Sequence, residues 1–204
     1  MKEYVNVHGA EKIRLLDCYK NGGKGAAVRK GMLKTRGKLI LMADADGATA
    51  FKDFEDLKNA LKTGAKKGGE KKALLGFALG SRAHAAGSEG KAKRSALRRF
   101  LMWGFHSAIS LLLGGNNIAD TQCGFKLFTR AAAAELFSHL HIERWAFDVE
   151  LVYIASRVGV PMVEVPVTWH EVAGSKLDPS TASIQMLRDI IVIRLAYLAG
   201  FWKL

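Results

Sequence analysis

The stretch LILMADADGAT, residues 39 to 49, runs through five apolar residues and then into two acids, Asp44 and Asp46, either side of one alanine. An unbroken apolar run this short, closed by acids and a glycine, predicts a parallel strand covered on both faces. Ligands of open α/β sheets sit beyond the carboxyl ends of such strands, which is where the acids fall. Alternate residues leaving a strand face the same side, so the two carboxylates can converge on one hard cation, Mg²⁺ or Mn²⁺, shared with substrate phosphates. A turn or a helix cap is the plainer reading of the same D-x-D.

Outward from this strand, elements of both kinds alternate. Lys12 to Cys18 alternates loosely and predicts a short strand. Asn21 to Gly31 (NGGKGAAVRKG) predicts a glycine-rich turn entering a helix that runs to about Thr35. Phe51 to Lys62 carries an apolar stripe at helical spacing. Ala73 to Leu79 predicts a strand closed by Gly80-Ser81-Arg82, and Thr129 to Leu140 a helix. Val160 to Trp169 predicts a half-buried or edge strand, and Ile184 to Leu198 a helix. The expected fold class is therefore α/β with a mainly parallel sheet and flanking helices, in a single domain over 1–204.

The chain has 204 residues, 49% of them hydrophobic, with 31 Lys and Arg against 19 Asp and Glu, a formal charge of +12. That excess favours polyanionic partners without choosing among nucleic acid, lipid headgroups and phosphorylated substrates. Residues 52 to 99 hold thirteen basic residues against five acidic ones. The aromatics sit inside apolar segments and do not interleave with these charges, which argues against a nucleic-acid stacking platform. Cys18 and Cys123 supply no disulfide framework, and the five histidines from His84 onward show no metal-ligand spacing. The N-terminus shows neither a signal-peptide nor a transit-peptide pattern. Phe100 to Gly115 and Met186 to Leu204 approach the length of a spanning helix but carry polar or charged interruptions. Each fits a membrane-interface helix or a core helix.

Several further residues fit phosphate chemistry. Asn21-Gly-Gly-Lys-Gly opens a helix, and Lys24 and Gly25 there suit a phosphate, although neither a P-loop nor a G-x-G-x-x-G is present. Arg82 follows a strand end directly, and Arg94, Arg98 and Arg99 precede an apolar segment; arginine grips phosphate with two donors at once. Asp148 and Glu150 are each placed to cap a helix or to pair with Arg144.

NGGKGAAVRKG, LILMADADGAT, GSRAH, DTQCGFKLFTR, HIERWAFDVELVYIA and EVAGSKL, in this order and spacing, resemble the dolichyl-phosphate β-glucosyltransferases. These are inverting glycosyltransferases of family 2 with the Rossmann-like GT-A fold, related to the dolichyl-phosphate mannose synthases. The similarity runs from about residue 4 to the C-terminus. It implies transfer of glucose from UDP-glucose to dolichyl phosphate, with inversion, for protein N-glycosylation at the cytosolic side of the endoplasmic reticulum membrane. By the resemblance, Asp44 and Asp46 hold the metal, Lys24, Gly25, Asp44 and Asp46 the donor, and Asp46 and Asp120 serve catalysis. Arg82, Arg98, Arg99, Ser175 and Lys176 meet the acceptor phosphate. In the mannose synthases a further polar ligand follows Asp46 by two residues; here that place is Ala48. Family members also carry an anchoring helix and two earlier strands in V-x-P-x-Y-N-E and D-G-S settings. Neither pattern occurs in this chain, which implies a GT-A domain incomplete at its N-terminus, with C-terminal amphipathic helices on the membrane interface. A sibling enzyme using another sugar donor such as mannose, and an inactive membrane-associated fragment, are the alternatives.

Overall fold

The computed structural model describes residues 2–67, 75–83, 118–170 and 179–204. In chain order these form α1 (Lys2–His8), α2 (Lys24–Leu33), β1 (Leu39–Ala43), a 3₁₀ turn (Phe51–Asp53) and α3 (Phe54–Lys67). There follow β2 (Phe77–Ser81), β3 (Phe125–Thr129), α4 (Arg130–Ser138), α5 (Phe147–Val158), β4 (Met162–Pro166) and α6 (Pro179–Leu198).

The four strands make one sheet in the order β1-β3-β2-β4. The α/β class stands, and the sheet is mixed. Strands β2 and β4 pair in parallel, while β3 lies between β1 and β2 and is antiparallel to both. Consequently β1, β2 and β4 all point one way and only β3 runs back. Among the described residues β1 is an edge strand, with Ile40 and Met42 buried and Leu39 and Ala43 exposed, so it is not covered on both faces. Strand β4 occupies the other edge, as its alternation and prolines predict.

Side-chain alternation sorts the core into two layers. Phe77, Leu79 and Phe128 face α2, α4, α5 and α6, and Phe77 stacks on Phe128 at 4.4 Å between ring centroids. Ala78, Phe125, Leu127 and Val165 face Leu57 and Leu61 of α3. Fully burying side chains of this size contributes about 1.5–3 kcal/mol each, which makes these two layers the main source of stability.

Local chemistry fixes the helix ends. The Thr129 hydroxyl accepts from the Ala132 amide and starts α4 one residue later than the sequence suggests. Gly159, at φ +75°, closes α5 in the left-handed conformation that glycine adopts without strain. The strand expected over Lys12 to Cys18 does not form. That segment is irregular, with Leu15 50% and Leu16 45% exposed, because alternation makes a strand only where a neighbouring strand takes its hydrogen bonds. The short helix α1 stands before it, where no periodic signal predicts one.

Candidate active site

Since β1, β2 and β4 run in parallel, their carboxyl ends share one edge of the sheet, and antiparallel β3 begins at that same edge. Asp44 and Asp46 leave β1 there, Arg82 leaves β2, and the loop from Asp120 to Gly124 enters β3. Three stretches distant in sequence are thus brought together by strand direction alone.

Asp44 is placed by three contacts. Its amide donates to the Gly124 carbonyl at 2.9 Å, extending the β1–β3 ladder by one step. Lys24 Nζ lies 2.8 Å from both of its carboxylate oxygens. Its carboxylate also fills the space where Gly124 lacks a side chain: a Cβ there would lie 2.0 Å from Asp44 Oδ2. Asp46 accepts from the Ala48 amide at 2.9 Å, closing a tight turn through Gly47 at φ +73°. Beyond the turn, His170 donates to the Ala48 carbonyl at 2.9 Å and Ala50 to that of Thr168 at 3.0 Å, so the acidic tip is pinned on both sides.

On the β2 side, Arg82 grips Asp120 with two donors, Nε at 2.7 Å and Nη2 at 2.9 Å. The Arg82 and Gln122 amides also donate to that carboxylate. Burial works to raise the Asp120 pKa, but these hydrogen bonds and the guanidinium charge outweigh it and hold the carboxyl below its ordinary value. The Arg82 pKa is raised, chiefly by its hydrogen bond to Asp120 and against its own burial. Arg82 also lies over the Trp169 ring, 5.8 Å from the centroid. A guanidinium has five N–H donors, so binding Asp120 through Nε and Nη2 leaves the Nη1 end with donors for an anion.

The acidic tip fits a hard divalent cation. The ammonium of Lys24 already rests on both oxygens of Asp44, and Asp46, two residues on and exposed, adds a second carboxylate of the right chemistry. Among the described residues no group of three His, Cys, Asp or Glu gathers at one point. Ala48 is buried and has no polar side chain to offer, so protein ligands from this tip stop at two. Such a site needs substrate phosphates and water to complete its shell, as is usual for Mg²⁺.

The glycosyl transferase family 2 model matches residues 1–137. The chain belongs to this family. It is 50% identical over 204 residues to the dolichyl-phosphate beta-glucosyltransferase of Dictyostelium discoideum, covering 98% of this chain and 59% of that protein. To the enzyme of the same name from Homo sapiens it is 48% identical over 202 residues, 99% of this chain and 60% of the relative. The Saccharomyces cerevisiae enzyme of that name is 45% identical over 194 residues, 95% and 58% of the two lengths. The chain thus spans about three-fifths of the length of these relatives.

Within this family 2 domain, the structure brings together Lys24 with Asp44, and Arg82 with Asp120, two pairings that the sequence alone does not specify. Gly25, expected on the donor side, also has a packing role. It is buried with the Ile142 carbonyl 2.6 Å from where its Cβ would be, so its missing side chain lets α2 pack on the 142–143 backbone. Arg98, Arg99, Ser175 and Lys176, and the apolar segment 100 to 115, lie outside the described residues. Asp148 and Glu150 have other partners than Arg144. Lys126 meets Asp148, and Glu150 accepts from the His141 and Ile142 amides and the Tyr197 hydroxyl.

Sequence reasoning missed Gly124, Lys126 and Glu164, and with Lys126 the partner of Asp148. Glu164 on β4 accepts from the Ala119 and Asp120 amides at 3.0 and 2.8 Å, suspending the start of the loop from the neighbouring strand. Only a lysine flanked by apolar residues in DTQCGFKLFTR could have signalled a buried charge.

Proposed function

We propose that this chain carries the glucosyl-transfer site of a dolichyl-phosphate β-glucosyltransferase, with UDP-glucose as donor and dolichyl phosphate as acceptor. The observation that supports it most is the meeting, at one sheet edge, of a paired acid that can take a cation and a paired arginine that can take a phosphate. A divalent cation held by Asp44 and Asp46 would stabilise the charge that grows on the departing diphosphate. Lys24, already within reach of Asp44, moves onto the diphosphate oxygens as they arrive. Arg82 presents its remaining donors to the acceptor phosphate. That phosphate is already largely ionised at neutral pH, so no strong base is needed. Asp120 accordingly serves by holding Arg82: its oxygens are taken by donors and its pKa is low, the opposite of what a proton acceptor requires. Attack from the face opposite the leaving group inverts the α-linked sugar to the β product.

A lipid acceptor has to be met at a membrane surface, and α6 is built for one. Ile184, Leu187, Ile191, Leu195, Leu198 and, just beyond it, Phe201 are exposed, while Ile190 and Ile193 face the core. Exposed Arg188, Arg194 and Lys203 border this apolar face and suit anionic headgroups. Among the described residues no helix is long and apolar enough to cross a membrane. We place the site on the cytosolic face of the endoplasmic reticulum, with α6 lying in the interface.

The decisive assay uses microsomes from cells expressing the gene product that contains this chain, given labelled UDP-glucose, dolichyl phosphate and Mn²⁺ or Mg²⁺. Lipid-linked glucose is expected, and Asp46→Asn should remove it. Product with GDP-mannose but not UDP-glucose overturns the donor; no lipid-linked sugar from any donor overturns the activity.

A further inference from the structure

We infer that the buried Lys126–Asp148 ion pair is a positioning device that holds the Asp120–Gly124 loop in register with Asp44. Lys126 is the second residue of β3, with its side chain fully buried on the face that carries Phe128 and the larger apolar layer. Its Nζ donates to Asp148 Oδ1 and to the Cys123 carbonyl, both at 2.6 Å. Three pieces of chain meet at this one nitrogen: the centre of the sheet, the first turn of α5, and the loop that carries Asp120.

A buried ion pair is weak evidence for stability, because desolvating two charges offsets most of their attraction and apolar replacements are often as stable. Its geometry is therefore the more telling property. Cys123 is the residue before Gly124, which takes the Asp44 amide on its carbonyl and the Asp44 carboxylate in the place of a side chain. It also closes the turn that begins at Asp120, the partner of Arg82. Pulling the Cys123 carbonyl toward Lys126 thus sets both halves of the site at once. Strand pairing places Lys126 opposite Met42, two residues before Asp44, so the pair forms the floor on which the acidic tip rests.

The catalytic consequence rests on the proposed glucosyltransferase activity, while the positioning itself can be read without it. Two double variants separate the roles. Lys126→Met with Asp148→Val replaces the pair by apolar side chains of nearly the same total volume and removes the donor to Cys123. Lys126→Gln with Asp148→Asn removes both charges but keeps a donor. Both are expected to melt close to the wild-type temperature. In the apolar variant, hydrogen exchange at the Asp44, Arg82 and Gln122 amides should accelerate while that of the β1–β3 pairs stays slow, and kcat/KM should fall about 10- to 100-fold, as when a supporting partner of a site is lost. The Gln/Asn variant should recover most of both. Unchanged exchange at the three amides in a folded apolar variant overturns the inference. Should the apolar variant fail to fold, fast exchange at those amides in a folded Gln/Asn variant overturns it equally. Faster exchange in the apolar variant, from a wild type that transfers no sugar, upholds the positioning and removes the enzymatic reading instead.

Discussion

Two lysine–aspartate pairs lie one above the other in this domain. Lys24 and Asp44 meet at the mouth of the site, at 2.8 Å, with side chains 26% and 35% exposed. Lys126 and Asp148 meet beneath it, at 2.6 Å, at 0% and 6%. The chemistry is the same and the surroundings reverse its meaning. A pair open to water is worth at most about 1 kcal/mol, so Lys24 can be exchanged for another cation or drawn to a phosphate at little cost. Removing one partner of a buried pair costs about 3–5 kcal/mol, so Lys126 stays where it is. The upper pair is suited to rearrange when substrate arrives and the lower one to prevent the frame from doing so.

The contrast breaks most sharply at Gly124, the contact between the two levels. Gly124→Ala brings a methyl group onto Asp44 Oδ2, and the short aspartate side chain can swing away more easily than the backbone can move. The expected result is near-native melting with transfer reduced about 100-fold, the scale of a misplacement of about 1 Å; a folded variant with full activity shows that Asp44 need not sit in that cradle. Next in size is Lys24→Met, for which two effects of opposite sign are expected. The KM for UDP-glucose should rise about tenfold, the equivalent of one lost charge-assisted contact. Mn²⁺ affinity without nucleotide, followed by electron paramagnetic resonance, should increase because the competing ammonium is gone. Weaker Mn²⁺ binding contradicts the picture of an exchangeable cation.

A smaller effect concerns pH. Burial raises the pKa of Asp148 from its ordinary 3.8 and that of Glu150 from 4.5, in each case against the pull of its partners. The folded state then holds these protons more tightly than the unfolded chain, so their contribution is complete below the ordinary values and is lost as pH rises above them. Asp120 works the other way, its contribution present above 3.8 and lost as pH falls below that value. Together the three groups place a stability maximum near the ordinary carboxyl range. Thermal melts across acidic to neutral pH should show it. Glu150→Gln, which faces His141 and Tyr197, should flatten the descending arm while lowering stability throughout, because an amide cannot accept all of the donors now aimed at the carboxylate. Smallest for the fold itself is Ile191→Asp with Leu195→Asp on α6. Flotation with anionic vesicles should drop while melting is unchanged; undiminished flotation removes α6 as the membrane face.

What the sequence made legible follows from how local each signal is. The apolar run of β1, the stripe of α3, the glycine-led start of α2 and the threonine before α4 each depend on neighbours within a turn or two. Asp44 and Arg82 could be singled out because each directly follows a strand end, Lys24 because it opens a glycine-led helix, and Asp120 through DTQCGFKLFTR, which with its companions identified the family. Strand β3 was hidden within that same motif: its reversed direction depends on pairing with Leu39–Ala43, far upstream. The depth of Lys126 depends on α5 and the sheet together, and no property of one segment reveals it. The packing of Gly25 on the 142–143 backbone was likewise out of sight, because a glycine beside a distant backbone looks like any other until the neighbour is seen.

The central place of β3 also bears on the order in which the molecule is built. Its pairings to β1 and β2 join residues separated by long stretches of chain, and closing such loops is the slow part of folding. Gly124 and Lys126 reach the site only with this strand. Before it docks, Asp44 lacks the Gly124 carbonyl and the cradle that hold it; afterwards it has both. Cation binding followed during refolding should therefore appear with the last phase, making the capacity to bind a report that the sheet has closed.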